Sequence, residues 1–285
     1  MAGVISLVRG RLAELVPAPG ERCGTSPVRG APRVLAAGVR QVRGRTAAVV
    51  ALDGGSVEVD LATPHGRRIF AYGFCEPAAR AMRTLLGRGD VMIDAGANIG
   101  LYTVVAAARV GAEGRVIACE PSPATMALLR GNVVRNAFGW VELHEAAVAE
   151  APGRLELEVF EAGSGVSSFA PAQAGGRRVE VTVRTLDELA GAHHVKLVKL
   201  DVEGAELRAL RGATGLLERA RPDFIVELEP EHLARQGASL ADVQALFEAA
   251  SYEAFAIGAD GLEPIRGPWQ RPAGDPNVVV RPCAS

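Results

Sequence analysis

Lysine is nearly absent from this 285-residue chain: of 31 basic side chains only Lys196 and Lys199 are lysines, and the rest are arginine. With 33 glycines and abundant alanine, the skew is that of a GC-rich coding sequence and carries no chemistry, but it leaves the two lysines conspicuous. Neither sign of charge is in surplus. Acidic groups number 33, the formal net charge is −2, and nothing in that balance points to nucleic acid or a membrane surface as a partner. No apolar run reaches the roughly 18–20 residues of a membrane span. The first sixteen residues carry Arg9 and Arg11 inside their apolar pattern and lack a signal-peptide core, so a soluble, cytoplasmic protein is expected. Cysteine is scarce as well. Cys23, Cys75, Cys119 and Cys283 form no C-x-x-C pair and no metal-ligand spacing, which argues against a disulfide scaffold or a zinc module.

What is present is 48% hydrophobic and 22% charged residues, the proportions of a folded chain long enough to bury a sizeable core. Val4, Ile5, Val8, Leu12, Leu15 and Val16 recur at helical spacing, and a Pro/Gly-rich stretch follows. Residues 1–45 therefore read as an arm or linker with a short amphipathic helix, a surface through which the chain could form a homo-oligomer. A second unit, 46–88, is expected to hold a hairpin across Asp53, Gly54 and Gly55 and then a helix over 76–86, together covering an active site. From 89 onward, strand-like runs at 91–95, 114–120, 141–147, 195–201 and 223–228 are separated by helical ones near 99–110, 122–136 and 203–219. Such alternation predicts right-handed βαβ units and a doubly wound, mainly parallel sheet. Alternating segments at 155–160 and 178–183 read as an added hairpin. A helix near 239–250 and strands at 253–257 and 277–280 should close the chain as an antiparallel edge.

The stretch VMIDAGANIGLYT, residues 91–103, is the most informative. A strand ends at Asp94, a tight turn with Gly96, Asn98 and Gly100 follows, and a helix begins. The spacing is G-x-x-x-G, where a dinucleotide fold would want G-x-G-x-x-G, and an acid at Asp94 would repel a pyrophosphate. Asp94 suits a ligand with positive charge, such as the ammonium and sulfonium of S-adenosylmethionine. One βα unit later Glu120 ends the next strand, where a carboxylate can accept hydrogen bonds from both hydroxyls of a ribose. The two acids would bracket a nucleoside at the carboxyl ends of adjacent strands. A helix cap and a solvated strand end would explain either acid alone, but less well the pair in register with the glycine loop. The small residues around Ala147, after the third strand, leave room for a flat adenine.

With these residues assembled, residues 56–281 resemble the FkbM family of class I S-adenosylmethionine-dependent methyltransferases. The resemblance rests on FCEP (74–77), IDAGANIG (93–100), CEPSP (119–123), EAAV (145–148), VRTLD (183–187), VKLDVEGAE (198–206) and PDFIVE (222–227). It implies a Rossmann-like sheet of seven strands and O-methylation of small molecules or sugars in natural-product or glycan pathways. It also implies that Glu76 faces the cofactor pocket.

Methyl transfer from a sulfonium is an in-line displacement, helped by a base that takes the acceptor's proton. The sequence places the candidates at the ends of the fourth and fifth strands. Asp201 is the first choice, then Glu227 and Glu203, with Lys199 two residues before Asp201 and so on the same face. Glu206 reads as an ordinary first-turn helix acid. Ser167 and Ser168 would lie in a loop over the acceptor, and His232 is a second-choice base. The displacement requires no metal, and none is expected. Rival readings are N-methylation on the same scaffold, a cofactor-binding subunit without catalysis, and a nicotinamide oxidoreductase, which the glycine spacing disfavours.

Overall fold

The computed structural model describes residues 46–159, 167–168, 177–272 and 275–283, so the arm expected over 1–45 lies outside the described residues. Successive residues in the central strands enter different cores. Phe224 and Val226 pack on one face and Ile225 on the other; Val278 and Val280 oppose Val279 in the same way. A strand apolar on both sides has to be covered on both sides, which is why helices lie on the two faces of one sheet.

That sheet has eight strands rather than the expected seven. Its parallel part comprises β3 (Val91–Ala95), β4 (Arg115–Cys119), β5 (Val141–His144), β10 (Val195–Leu200) and β11 (Asp223–Glu227). An antiparallel edge is formed by β14 (Asn277–Pro282), β12 (Tyr252–Ile257) and β13 (Leu262–Pro264), in spatial order β13-β12-β14-β11-β10-β3-β4-β5. The extra strand, β13, is three residues pairing with the end of β12, too short to show a period. Chain direction across the sheet reverses between β3 and β10, and ligands of open α/β sheets bind in the crevice at such a point.

The hairpin is present as β1 (Ala47–Leu52) and β2 (Gly55–Asp60). It docks on α3 (Leu101–Val110) and α4 (Pro123–Arg135). Asn132 and Asn136 accept the main-chain N–H of Glu58 and Ser56 through their side-chain oxygens, and donate back to the carbonyls of the same two residues. Between hairpin and sheet run α1 (Pro64–Tyr72), which the sequence pattern did not reveal, and α2 (Pro77–Leu85).

Two other expectations are corrected. The third strand does not run to residue 147: it stops at His144, and β6 (Ala147–Val148) joins a separate four-stranded sheet. The expected hairpin is in that sheet as β7 (Gly153–Val159) and β9 (Arg177–Arg184), with β8 (Ser167–Ser168) on its edge. The helix expected over 203–219 is likewise broken. It consists of α6 (Glu206–Arg211) and one π-helical turn at Leu216–Ala220, whose leading N–H groups, of Gly215 and Leu216, are held by the Asp187 carboxylate. After β9 comes α5 (Leu186–Ala190), with a capping box between Thr185 and Glu188. After β11 come α7 (Pro230–Arg235) and α8 (Leu240–Ala249). No helix among the described residues is long and apolar enough to cross a membrane.

Candidate active site

Asp94 closes β3 on the face that carries α3, fully buried, and accepts a hydrogen bond of 2.5 Å from the Thr103 hydroxyl. Burial pushes its carboxyl up to about 6, and neither Thr103 nor the nearby Lys199 ammonium offsets that loss of water. Glu120, at the tip of β4, has one oxygen accepting the N–H of Ser122 and the other the N–H of Asn98. Burial raises it to about 7. Each of its oxygens keeps a second lone pair, as ribose recognition requires.

The glycine loop does a packing job as well. Gly96 has φ of +84°, and a Cβ there would lie 1.7 Å from the carbonyl oxygen of Asp201, so only glycine lets the ends of β3 and β10 meet. Gly100 caps α3 in the left-handed region. Asn98 also has positive φ and accepts the N–H of Ile99 with its side chain. Asp94, Gly96, Asn98 and Gly100 thus follow one another from the end of β3 into α3, and Asn98 ties that loop to Glu120. Ala147 is placed differently, its side chain packing with Leu157 and Val181 beneath the second sheet.

Lys199 lies beside Asp94 across the β10–β3 pairing. It is 1% exposed, its Nζ is 3.0 Å from Asp201 Oδ2, and it sits 5.1 Å from the centre of the Tyr102 ring. Burial alone would lower the ammonium, yet the carboxylates of Asp201 and Glu227 hold it above its usual value. Asp201 is the converse. Burial would raise it, but the Lys199 charge and hydrogen bonds from Glu227 and Lys199 keep it low. Glu227, at the end of β11, is pushed up to about 10, first by the Asp201 charge and then by burial. Lys196, by contrast, is at the other end of β10, 3.6 Å from Asp223.

Beyond Asp201 the chain turns through Glu203, which has φ of +54° and stands in the loop before α6 rather than on the helix. Burial and the Asp201 charge raise its carboxyl to about 8. Glu206 is no ordinary first-turn acid: it is 2% exposed, and its Oε1 accepts the N–H of Val202 and Gly204, which closes the loop that presents Glu203. His232, from α7, reaches the same place with Nδ1 3.1 Å from Glu203 Oε2. Ser167 and Ser168 pair through their main chain with β7, and their side chains lie outside the described residues.

Glu76 precedes α2, and its two oxygens meet Arg68 at 2.9 Å and the Tyr102 hydroxyl at 2.7 Å. Two residues missed in the sequence join the site here. Tyr102 links Glu76 to Lys199, and its place directly after the glycine loop was the available signal. His65, on α1, is within electrostatic reach of Glu76 and Asp201, and its Nε2 is buried without a hydrogen-bond partner. Burial lowers its pKa.

An acid-rich rim with one amino group, next to carboxylates at the carboxyl ends of the adjacent strands β3 and β4, fits a positively charged nucleoside ligand. Comparison with known proteins agrees. Residues 94–254 match the Methyltransferase FkbM domain, more than half of the chain. Methyltransferase 1 of Beauveria bassiana is 27% identical over 143 residues, covering 42% of this chain and 57% of that protein. Methyltransferase sdnD of Sordaria araneosa is 27% identical over 154 residues, with coverages of 42% and 59%, so the chain spans under three fifths of each relative. The crystal structure of an FkbM methyltransferase from Methylobacillus flagellatus aligns with a TM-score of 0.47 at 18% identity, over 88% of this chain and 60% of that one. The matched segment begins at Asp94 and takes in Glu120, the Lys199–Asp201 pair and Glu227, and by it the chain belongs to the FkbM family of methyltransferases.

Proposed function

We propose that the chain is an S-adenosylmethionine-dependent O-methyltransferase acting on a hydroxyl of a small molecule or sugar, in a natural-product or glycan pathway. The observation that carries this reading is the buried Lys199 ammonium, which lies beside Asp94 and holds Asp201 Oδ2 at 3.0 Å at the carboxyl end of β10. Asp94 and Glu120 would hold the donor, which would supply a methyl group on a sulfonium. The chain's own residues do the rest. Glu120 fixes the ribose through its free lone pairs, and the Asp94 carboxylate faces the positive half of the ligand.

A hydroxyl is a weak nucleophile, and a positioned base is worth about 10²–10⁴ in rate. Burial raises Glu203 and the Asp201 charge raises Glu227, whereas the Lys199 charge holds Asp201 low. Asp201 is therefore the base, and Lys199 positions it. Asp201→Asn should cut turnover by about 10²-fold or more while calorimetric affinity for S-adenosylmethionine is unchanged. Full turnover in that variant would remove Asp201 from the role. Release of S-adenosylhomocysteine with a panel of polyols, sugars and amines then sorts the acceptor: turnover confined to amines would replace O- by N-methylation.

A further inference from the structure

Three side chains far apart in any motif converge beyond Asp201. Glu203 comes from the loop after β10, Glu227 from the end of β11 and His232 from α7. One donor atom of each lies within 4.8 Å of the others. His232 Nδ1, although 3.1 Å from Glu203 Oε2, is shielded from water and makes no hydrogen bond with it or with any other group. The two form a close ion-pair contact, and Glu227 completes three ligand atoms within reach of one cation. Acid side chains crowd the place: Glu206 closes the loop that presents Glu203, and Lys199 is committed to Asp201.

We propose that Glu203, Glu227 and His232 bind a divalent cation of the Mn²⁺ or Mg²⁺ class. Two carboxylate oxygens and one imidazole nitrogen form a hard to borderline donor set, and three protein ligands leave positions open for water or for oxygens of a bound molecule. The role of the cation rests on the methyl-transfer reading: beside Asp201 it would hold the acceptor's hydroxyl oxygen and make its proton easier to remove. Binding itself does not depend on that reading.

The test is a titration of the full chain with Mn²⁺ alone, followed by electron paramagnetic resonance. One ion per chain should bind, with nitrogen coupling in the pulsed spectrum from His232. Glu203→Gln and His232→Ala should each weaken binding by on the order of 10–100-fold, and His232→Ala should abolish the nitrogen coupling. Unchanged calorimetric binding of S-adenosylmethionine shows that both variants are folded. Glu231→Gln, one residue from His232 but with a side chain 82% exposed, should bind Mn²⁺ like the parent. Absence of binding at millimolar Mn²⁺, or binding that survives both ligand substitutions, overturns the site. A bound ion in a chain that methylates none of the acceptors sinks the methyltransferase reading and leaves the cation site standing. Methyl transfer with no Mn²⁺ binding does the reverse.

Discussion

Lys199 is a charge kept in the interior by its neighbours. Its ammonium has the Asp201 carboxylate on one side and the Tyr102 ring below, and Tyr102 is itself held by Glu76. Removing one partner of a buried ion pair costs about 3–5 kcal/mol, because the other charge is left stranded. Asp201 is 31% exposed, so water screens part of that cost, and Lys199→Met should lose about 2–3 kcal/mol in urea unfolding. Lys199→Arg should rescue little of it, since a planar fork does not fit where a compact ammonium meets one carboxylate oxygen over a ring. Parent-like stability in Lys199→Met would mean that the pair contributes nothing to the fold. The conspicuous lysine and the acid two residues on were legible in the sequence, because a strand end fixes which side chains share a face. His65 was not: it follows a proline in a segment with no apolar period, and only the fold carries it toward Asp201.

Among the elements, the parallel strands were read almost to the residue, since runs such as VMIDA and DFIVE are apolar on both faces and bounded by turns. Helix α1 was missed for the opposite reason. Its segment, PHGRRIFAY, holds a glycine and two arginines in its first turns, and what starts it is the Thr63 hydroxyl accepting the N–H of Gly66. Arg67, buried there, donates to the carbonyls of Leu61 and Ala62, a tertiary reward that propensity does not register. The docking of the hairpin is equally specific. Without Asn132 the N–H of Glu58 loses its acceptor, and a buried donor left unpaired costs about 1–3 kcal/mol. Asn132→Ala should lower stability by that amount and raise hydrogen exchange across β1 and β2 before the large sheet opens. Uniform exchange throughout would show that the hairpin is not held by this contact.

For the molecule as a whole, the site is the place where the sheet reverses, and this made its cofactor half legible. Asp94 and Glu120 end neighbouring strands, so two local patterns sufficed. The half built by Glu203, Glu227 and His232 was not, because it depends on how the loop after β10 sits against α7. Burial without a matching charge also gives the protein a pH signature. Asp94 and Glu120 titrate near 6 and 7 when folded, against about 3.9 and 4.3 in an unfolded chain. Between those values the folded state holds more protons, so the ligand-free protein should lose stability as pH rises from about 4 to 7. Glu206 acts in the same direction, whereas Asp201, shifted low, matters only in stronger acid. A cationic ligand relieves the repulsion, and stabilisation by S-adenosylmethionine should grow over the same interval in thermal melts. A ligand effect that shrinks with rising pH would contradict the charge assignment.

The second sheet leaves the main chain path at the carboxyl rim, after β5, and among the described residues its strands pair with one another before the chain returns to β10. Among those residues no strand of the large sheet pairs with a strand of the second. The register of Asp94 and Lys199 is thus set by pairing inside the large sheet alone, while Val148, at the start of the second sheet, is anchored in the same core as Ile93 and Val198.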